Sequence, residues 1–290
     1  MRTFVAPGKL VIVGEYAVLD GAPAIVAAVD SGVKCEVIPA DTLQITVPNG
    51  LDDTFVRAAL TAVHAPAGHY TFSDHNPTNT AGKAGLGGSG ASVVAACLAG
   101  SVLGGHKLDR HALADIAMRV HREVQGSGSG IDILASVYGG VMRVEDGKVS
   151  PGPSIEPIIV YSGTSAKTGP RVQMYRAQSR RRSFVQMSTS IVNDFTKDPV
   201  AALGENRSLL EAMAERAGID YRTTALDRLV DLADDCGGAA KPSGAGGGDV
   251  AVALFHDGGQ ALDFRLRCAQ DGFTVLSVRV DPHGAREVIW

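Results

Sequence analysis

The sequence GLGGSGAS occupies residues 85–92 and opens the small, apolar run Ala91–Leu103. Four of its first six residues are glycine, so consecutive backbone N–H groups can turn toward one point. The apolar run predicts a buried helix whose positive end lies at the same point, where an anion such as a phosphate fits. The hydroxyl of Ser89 would add a ligand for a metal ion bound to that phosphate. A tight turn that only allows close helix packing would have the same composition.

Two named phosphate-binding motifs do not fit this stretch. Gly85, Gly87 and Gly90 satisfy the G-x-G-x-x-G pattern of dinucleotide-binding folds, but the polar residues 74–80 stand where that motif requires a buried strand. A Walker A loop requires Ser or Thr after Gly-Lys, and none of the Gly-Lys pairs in the chain continues in that way. Neither motif therefore explains the loop.

Three further stretches carry polar residues beside glycines. The sequence KPSGAGGGD at residues 241–249 precedes an apolar strand; its glycines allow a ligand or another loop to approach, and a flexible connector would have the same composition. Residues 125–132 lead into a short helix, where Asp132 is more often a partner of the helix dipole than a catalytic base. Residues 6–9 place Lys9 at a predicted turn, where a solvated surface charge is the ordinary interpretation.

Composition describes a folded chain without a basic surface. The 290 residues (30.0 kDa) are 45% hydrophobic with a mean hydropathy of +0.09, which fits two globular domains or one large one. Lys and Arg number 27 against 31 Asp and Glu, a net charge of −4, so nucleic acid is not an expected partner. The sequence has no apolar leader and no apolar run long enough to cross a membrane, so we expect a cytoplasmic protein without a membrane partner. The four cysteines form no C-x-x-C pair and are expected to be buried free thiols.

The order of predicted elements is α+β in both halves. Apolar, β-branched runs predict strands in the first 45 residues, with a turn at Pro7-Gly8 between the strands Thr3–Ala6 and Leu10–Val13. A long helical stretch is predicted over Arg171–Phe195. The Pro- and Gly-rich residues 151–153 are the best linker candidate, so we place a domain boundary near residue 152.

In their order along the chain and in their amino-acid sequence, these stretches resemble the three motifs of the GHMP kinase family, named for galactokinase, homoserine, mevalonate and phosphomevalonate kinases. Residues 6–19 are similar to the first motif, Lys83–Ser92 to the nucleotide-phosphate motif, and Lys241–Asp249 to the third. The motifs are about 75 and 155 residues apart, so the resemblance spans nearly the whole chain. It implies an α+β, two-domain GHMP kinase fold, with an N-terminal ribosomal-protein-S5-like, ATP-binding domain over residues 1–152 and a C-terminal ferredoxin-like domain over residues 153–290.

Within the family, the sequences of these motifs most resemble those of phosphomevalonate kinases. Their first motif typically reads GEYAV, as residues 14–18 do, whereas mevalonate kinases usually carry His at the position of Tyr16. The GAGGGD form of the third motif, at residues 244–249, agrees. The second motif of the family usually reads GLGSSA, so Gly88 stands at the first serine and Gly90 at the alanine, and one phosphate-contacting hydroxyl is absent.

The resemblance implies transfer of a phosphoryl group from ATP, with Mg²⁺, to 5-phosphomevalonate to give the diphosphate. Asp132 would lie beside the substrate hydroxyl, and Lys9 would pair with Asp132 and lower the barrier to loss of the proton. The ATP phosphates would contact a lysine and the glycine-rich loop, namely Lys83, Gly85, Leu86, Gly87, Gly88, Ser89 and Gly90. Ser89 and Glu15 would be metal ligands. The acceptor would contact residues from several parts of the chain: Glu15, Tyr16, Ser129, Lys167, Arg171, Gly244, Ala245, Gly246 and Gly247.

Other interpretations of the chain remain. Lys167 and Arg171 are the preferred cations for the phosphate of the acceptor, and the arginine run 180–182 is interpreted as a solvated helix face. A mevalonate kinase or another GHMP sugar or small-molecule kinase would carry the same motifs, with a hydroxy acid or a phosphorylated compound as substrate. A non-catalytic ligand-binding protein of the same fold is the alternative from another class, and a monomer and a homodimer both fit.

Overall fold

Two β-sheets with helices packed on them make up the computed structural model, which describes residues 1–48, 51–75, 85–126 and 128–288. The strands are β1 (Arg2–Val13), β2 (Ala24–Ile38), β3 (Leu43–Thr46), β4 (Gly68–His75), β5 (Val141–Glu145), β6 (Lys148–Pro151), β7 (Ile158–Tyr161), β8 (Ala239–Pro242), β9 (Val250–Leu254), β10 (Thr274–Val275) and β11 (Arg286–Val288). The helices are α1 (Thr54–Ala62), α2 (Gly88–Leu103), α3 (Arg110–Gln125), α4 (Ile131–Tyr138), α5 (Thr168–Arg176), α6 (Arg182–Asp194), α7 (Pro199–Ala217), α8 (Thr224–Asp235) and α9 (Gly258–Gln270). Lys83 lies outside the described residues.

The first sheet is buried on both faces at β1 and at the first half of β2. Among the described residues its order is β11-β1-β2-β4-β3, with β5 on β2 and β6 on β5. Alternate residues of β2 point to opposite sides: Val26 packs in the core under α2 and α4, and Ile25 packs toward the second half of the chain. This double burial explains why the first six residues of β2, Ala24–Val29, are all apolar and buried.

Strand β1 runs through Pro7-Gly8 without a turn, so the predicted turn at this position is wrong. The ladder with β2 shifts register between Pro7 and Gly8 instead, which is an irregularity of the β-bulge type. A Cβ atom at Gly8 would lie 2.4 Å from the carbonyl oxygens of Leu86 and Ser31, so only glycine fits. The backbone N–H of Lys9 then donates to Leu86 O at 2.7 Å. The irregularity therefore places Lys9 against the glycine-rich loop.

The second sheet has the order β10-β7-β9-β8 within the described ranges. Helices α8 and α9 cover one of its faces around Leu229 and Phe264. Its other face, with Val252, shares a core with Leu10 of β1 and Leu203 of α7. The two halves therefore pack on each other through one continuous apolar layer.

The end of the chain returns to the first sheet. Strand β11 pairs antiparallel with β1, and Val280 forms an isolated bridge with Val29 of β2. The predicted boundary near residue 152 lies between β6 and β7, where the chain passes from one sheet to the other. Residues 280–288 nevertheless contribute to the sheet of the first half, where they cover the edge of β1.

The predicted helix over Arg171–Phe195 is two helices, α5 and α6, so the prediction of one continuous stretch is wrong. The guanidinium of Arg181 donates to the carbonyl oxygens of Arg176 and Gln178, which satisfies backbone acceptors at the end of α5. No helix in the described ranges is long and apolar enough to cross a membrane.

The four cysteines are free and buried, which confirms the expectation from sequence. Burial raises the pKa of Cys35 and of Cys97 to about 12, so these thiols stay protonated at neutral pH. They take no part in the site described next.

Candidate active site

The glycine-rich loop ends at the N-terminus of α2, as predicted. Gly85 and Gly87 adopt left-handed backbone conformations, with φ of +66° and +82°. The N-cap is Gly87, which has no side chain to bond the N–H groups of the first turn. Gly88 and Ser89 are exposed, and a Cβ atom at Gly88 would meet no atom within 4 Å. Among the described residues, nothing fills the space beside Gly88 at the positive end of the helix, so an anion fits there.

The side chain of Lys9 extends from β1 to this loop. Its Nζ donates to Gly85 O at 3.1 Å, and a Cβ atom at Gly87 would lie only 2.8 Å from its Cγ. Burial lowers the pKa of Lys9, and the carboxylates of Asp132, Asp249 and Glu15 oppose that shift in decreasing order. One ammonium group thus lies among three carboxylates.

Asp132 lies in the first turn of α4, with its carboxylate against the start of α2. Its Oδ1 accepts a hydrogen bond from the backbone N–H of Ile133 at 3.0 Å. A Cβ atom at Gly90 would lie 2.7 Å from Oδ2 and 2.9 Å from Cγ. The missing side chain at Gly90 is what lets the carboxylate approach the helix end this closely, so the departure of this residue from the usual family motif has a structural reason.

The third motif rests on a buried ion pair that sequence reasoning did not identify. Lys241 is fully buried and Glu15 is 3% exposed, and Lys241 Nζ donates to Glu15 Oε1. Glu15 also accepts from Asn206 Nδ2 at 3.0 Å and from the Gly244 N–H at 3.2 Å. Burial lowers the pKa of Lys241, and the charge of Glu15 opposes that shift. Both oxygens of Glu15 already accept hydrogen bonds, so its role as a metal ligand, which stays a prediction, would require this network to open.

Tyr16 also contacts the third motif. Its hydroxyl donates to Ala245 O at 2.7 Å, and its ring lies 5.1 Å from the ring of Tyr175. Burial raises the pKa of Tyr16, so the hydroxyl remains a donor. Gly246 fits closely here, since a Cβ atom on it would lie 2.1 Å from the ring of Tyr221. In this structure Tyr16 and Gly246 therefore pack against other residues of the protein.

Asp249, the last residue of the third motif, was also not singled out from sequence. Its side chain packs against Gly85, where a Cβ atom would lie 2.4 Å from the Asp249 carboxyl, and its Oδ1 accepts from the Ala166 N–H at 3.2 Å. Burial raises the pKa of Asp249, and the charges of Lys9 and Arg171 oppose that shift. Its left-handed backbone, with φ of +58°, is one that aspartate tolerates better than most residues. The contact joins the second and third motifs.

Arg171 lies beside the same loop. Its Nε and Nη1 donate to the carbonyl oxygens of Asp220 and Lys167, and a Cβ atom at Gly247 would lie 1.9 Å from Nη2. Within the described ranges, no carboxylate forms a salt bridge with Arg171 or Lys167, so both charges are available. Lys167 is exposed, directly before α5.

Ser129 and the arginine run 180–182 lie outside the contacts described above. Ser129 is half-buried directly before Gly130, the N-cap of α4. In the arginine run, Arg181 forms a salt bridge with Asp20, with 3.0 Å between Nε and Oδ2. Arg181 therefore stabilises the contact between α6 and the turn that follows the first motif.

No protein cage for a metal ion is visible in the described part of the chain, since no three His, Cys, Asp or Glu side chains group together suitably there. Mg²⁺ binds readily to substrate phosphates with few protein ligands. The exposed hydroxyl of Ser89 at the helix end fits that arrangement.

Two family models match the chain: GHMP kinases N terminal domain over residues 48–140 and GHMP kinases C terminal over residues 200–272, together more than half of its length. A phosphomevalonate kinase of Streptomyces sp. (strain CL190) is 29% identical, over 87% of this chain and 90% of the relative. A mevalonate kinase of Thermococcus gammatolerans is also 29% identical, over 86% of this chain and 87% of the relative.

The fold agrees with a solved structure, the Streptococcus pneumoniae phosphomevalonate kinase in complex with phosphomevalonate and AMPPNP. The two superpose with a TM-score of 0.84 at 21% identity, over 97% of this chain and 99% of that one, which confirms the predicted α+β fold. With its two domains matched and its three motifs assembled around one helix end, the chain belongs to the GHMP kinase family of phosphotransferases.

Proposed function

We propose that the protein transfers the terminal phosphoryl group of ATP to 5-phosphomevalonate, giving 5-diphosphomevalonate. The observation that carries this proposal is the meeting of Lys9, Asp132 and the N-terminus of α2 at one point. Phosphoryl transfer needs little more from a protein than positioning of the reactants and stabilisation of spreading negative charge. Similarity to a phosphomevalonate kinase over most of both chains supports the choice of acceptor.

The nucleotide phosphates bind at the first turn of α2 in this proposal. The backbone N–H groups of residues 88–90 contact the phosphate oxygens, and the left-handed Gly85 and Gly87 turn the loop toward them. Ser89 would be the ligand from the chain for Mg²⁺, which when bound would offset the negative charge that develops on the phosphates. Lys83 is assigned to the same phosphates from the resemblance.

A diphosphate forms only when an oxygen of the acceptor's own phosphate attacks the γ-phosphorus of ATP, so we place that phosphate, and not a hydroxyl, beside Asp132. This carboxylate accepts the hydrogen bond of a protonated phosphate oxygen and orients it, or takes its proton as the new O–P bond forms and the bond between the γ-phosphorus and ADP breaks. Lys9 lies in the field of the same carboxylate. Its positive charge stabilises the oxygen as it loses the proton and stabilises the transferring phosphoryl group.

The cations Arg171 and Lys167 bind the phosphate that the acceptor already carries. We expect Arg171→Met to raise the KM for 5-phosphomevalonate about 10- to 100-fold, the value of a charged hydrogen bond, with little change in the KM for ATP. Steady-state kinetics with each substrate varied measure both constants. Arg176→Met, in the last turn of the same helix, is the matched control and leaves both unchanged. An unchanged acceptor KM in the Arg171 variant would remove this residue from the acceptor site.

The test of the proposed function is an ADP-release assay with Mg²⁺ and ATP against 5-phosphomevalonate, mevalonate, galactose and homoserine in parallel. We expect turnover with 5-phosphomevalonate alone. Turnover of mevalonate instead would establish the second candidate, which is favoured by the equal identity of the Thermococcus gammatolerans relative. No turnover with any of the four, together with tight ATP binding in a titration, would favour an untested acceptor or a non-catalytic protein.

The two glycines that depart from the family motif have opposite expected responses to substitution. Gly90→Ala lowers kcat about 10-fold or more, because the new Cβ atom would lie 2.7 Å from Asp132 Oδ2 and displaces this carboxylate. Gly88→Ser meets open space and restores a hydroxyl, so the KM for ATP falls about 2- to 10-fold. Kinetics and thermal unfolding of both variants check the pair. Equal kcat values for Gly90→Ala and the unmodified protein would contradict the steric account.

A further inference from the structure

A histidine lies against the carboxylate that the proposed mechanism uses. The Nε2 atom of His121, in α3, is 3.5 Å from Asp132 Oδ2. His121 is 4% exposed, and its Nε2 has no hydrogen-bond partner that meets normal geometry among the described residues. A buried polar atom without a partner carries a cost of about 1–3 kcal/mol and calls for a reason.

The fold holds the ring of His121 in one orientation. Helix α3 buries Leu113, Ala117 and Val120 on the face that also carries His121. The imidazole stacks on the ring of Phe55 in α1, with 5.3 Å between ring centroids and 29° between planes. The ring plane is therefore fixed by packing from two helices.

Three neighbours surround the carboxylate of Asp132. Oδ1 accepts from the Ile133 N–H, and Oδ2 lies between the backbone of Gly90 and His121 Nε2. A proton on Nε2 is the assignment that avoids two acceptors facing each other. Hydrogen bonds in active sites are often long before the substrate binds and shorten in the complex.

We propose that His121 is a positioning residue for Asp132: its Nε2–H donates to Oδ2 and fixes the carboxylate in the rotamer that receives the acceptor phosphate. The proposal rests on the proposed function in that Asp132 contacts the acceptor. The remaining lone pairs of both oxygens stay available for a protonated oxygen of that phosphate. His121 lies outside the three sequence motifs.

Two variants of similar shape test the donor. In His121→Gln the amide NH₂ can reach Oδ2, whereas His121→Met has similar length and no donor. We expect His121→Met to lower kcat about 10- to 100-fold, as loss of an orienting hydrogen bond does in metal sites, with the KM for ATP unchanged. His121→Gln should keep kcat within about threefold of the unmodified protein. Wild-type kcat in the Met variant, or equal losses in both variants, would overturn the proposal.

Helix α3 also offers a matched control. His111 Nδ1 lies 3.1 Å from Asp115 Oδ2, but this second histidine–aspartate pair is exposed to solvent. His111→Met therefore removes a similar contact from the same helix at a distance from the site. It should leave kcat and both KM values unchanged.

A measurement without substrate separates this proposal from the proposed function. Thermal unfolding is measured for His121→Met, Asp132→Asn and the double variant. If the two side chains interact, the shifts in melting temperature are non-additive by about 2 °C or more. Additive shifts would overturn the contact even in an active enzyme. A non-additive result would support the contact even if the unmodified protein phosphorylates none of the four acceptors, an outcome that would count only against the proposed function.

Discussion

Asp132→Asn lowers kcat for acceptor phosphorylation by about 10²–10⁴-fold, the usual contribution of a general base, and leaves ATP binding intact. Asparagine keeps the shape of the side chain, and its carbonyl oxygen can still accept from the Ile133 N–H. What it loses is the negative charge that interacts with Lys9 and that can take a proton. Single-turnover kinetics give the rate of transfer, and a nucleotide titration gives the affinity for ATP.

The matched control for this variant is Asp115→Asn. Asp115 lies in α3, where its carboxylate pairs with His111 in an exposed position, so its neutralisation should change neither kcat nor ATP affinity. A kcat above about one tenth of the unmodified value in Asp132→Asn would remove this carboxylate from the role of base, since such a loss is smaller than general-base catalysis provides.

Lys241→Met destabilises the protein by about 3–5 kcal/mol, because it leaves the carboxylate of Glu15 buried without its cationic partner. Lys241 is the first residue of the third motif, and its Nζ also donates to Pro242 O at 2.8 Å. Methionine fills a similar volume, so lost packing is a small part of the effect. The melting temperature should fall by about 10 °C, measured by thermal unfolding at constant pH.

A double variant separates charge from packing at this site. Glu15→Gln combined with Lys241→Met removes both charges and should recover much of the lost stability, because the desolvation of an unpaired carboxylate is then absent. Lys148→Met, at an exposed lysine of β6, is the control and should leave the melting temperature unchanged. A melting temperature of the single Lys241 variant equal to that of the unmodified protein would show that Glu15 does not need this cation.

Much of the site could be predicted from sequence because many of its residues lie in short, continuous stretches of the chain. Glycines at 85–90 before an apolar run predict a helix that begins at the loop, and α2 begins there in the structure. Anion binding at this helix end stays a prediction. Lys9 and Asp132 were identified through the resemblance of whole motifs, since a lone lysine or aspartate has no specific signal. The partners of the motifs were harder to find.

Residues that act through distant contacts were missed. Glu15 and Lys241 are 226 positions apart, and only the packing of β1 on β8 and β9 brings them together. His121 gives no signal in a sequence pass, because a histidine on the apolar face of a helix is usually a core residue. In the sequence, Gly90 is only a departure from the family motif. The position of the Asp132 carboxylate gives the reason for it.

Local properties of this protein follow from its sequence: the apolar composition of α2, the glycine conformations at its start, and the order of three motifs along the chain. Three other features follow from tertiary packing: β1 continues through Pro7-Gly8, residues 280–288 return to the first sheet, and each buried carboxylate meets its particular cation. Periodicity and turn preferences depend on neighbours within a few positions. Pairing of buried charges and closure of a sheet edge depend on which surfaces the whole chain brings into contact, and no short stretch of sequence carries that information.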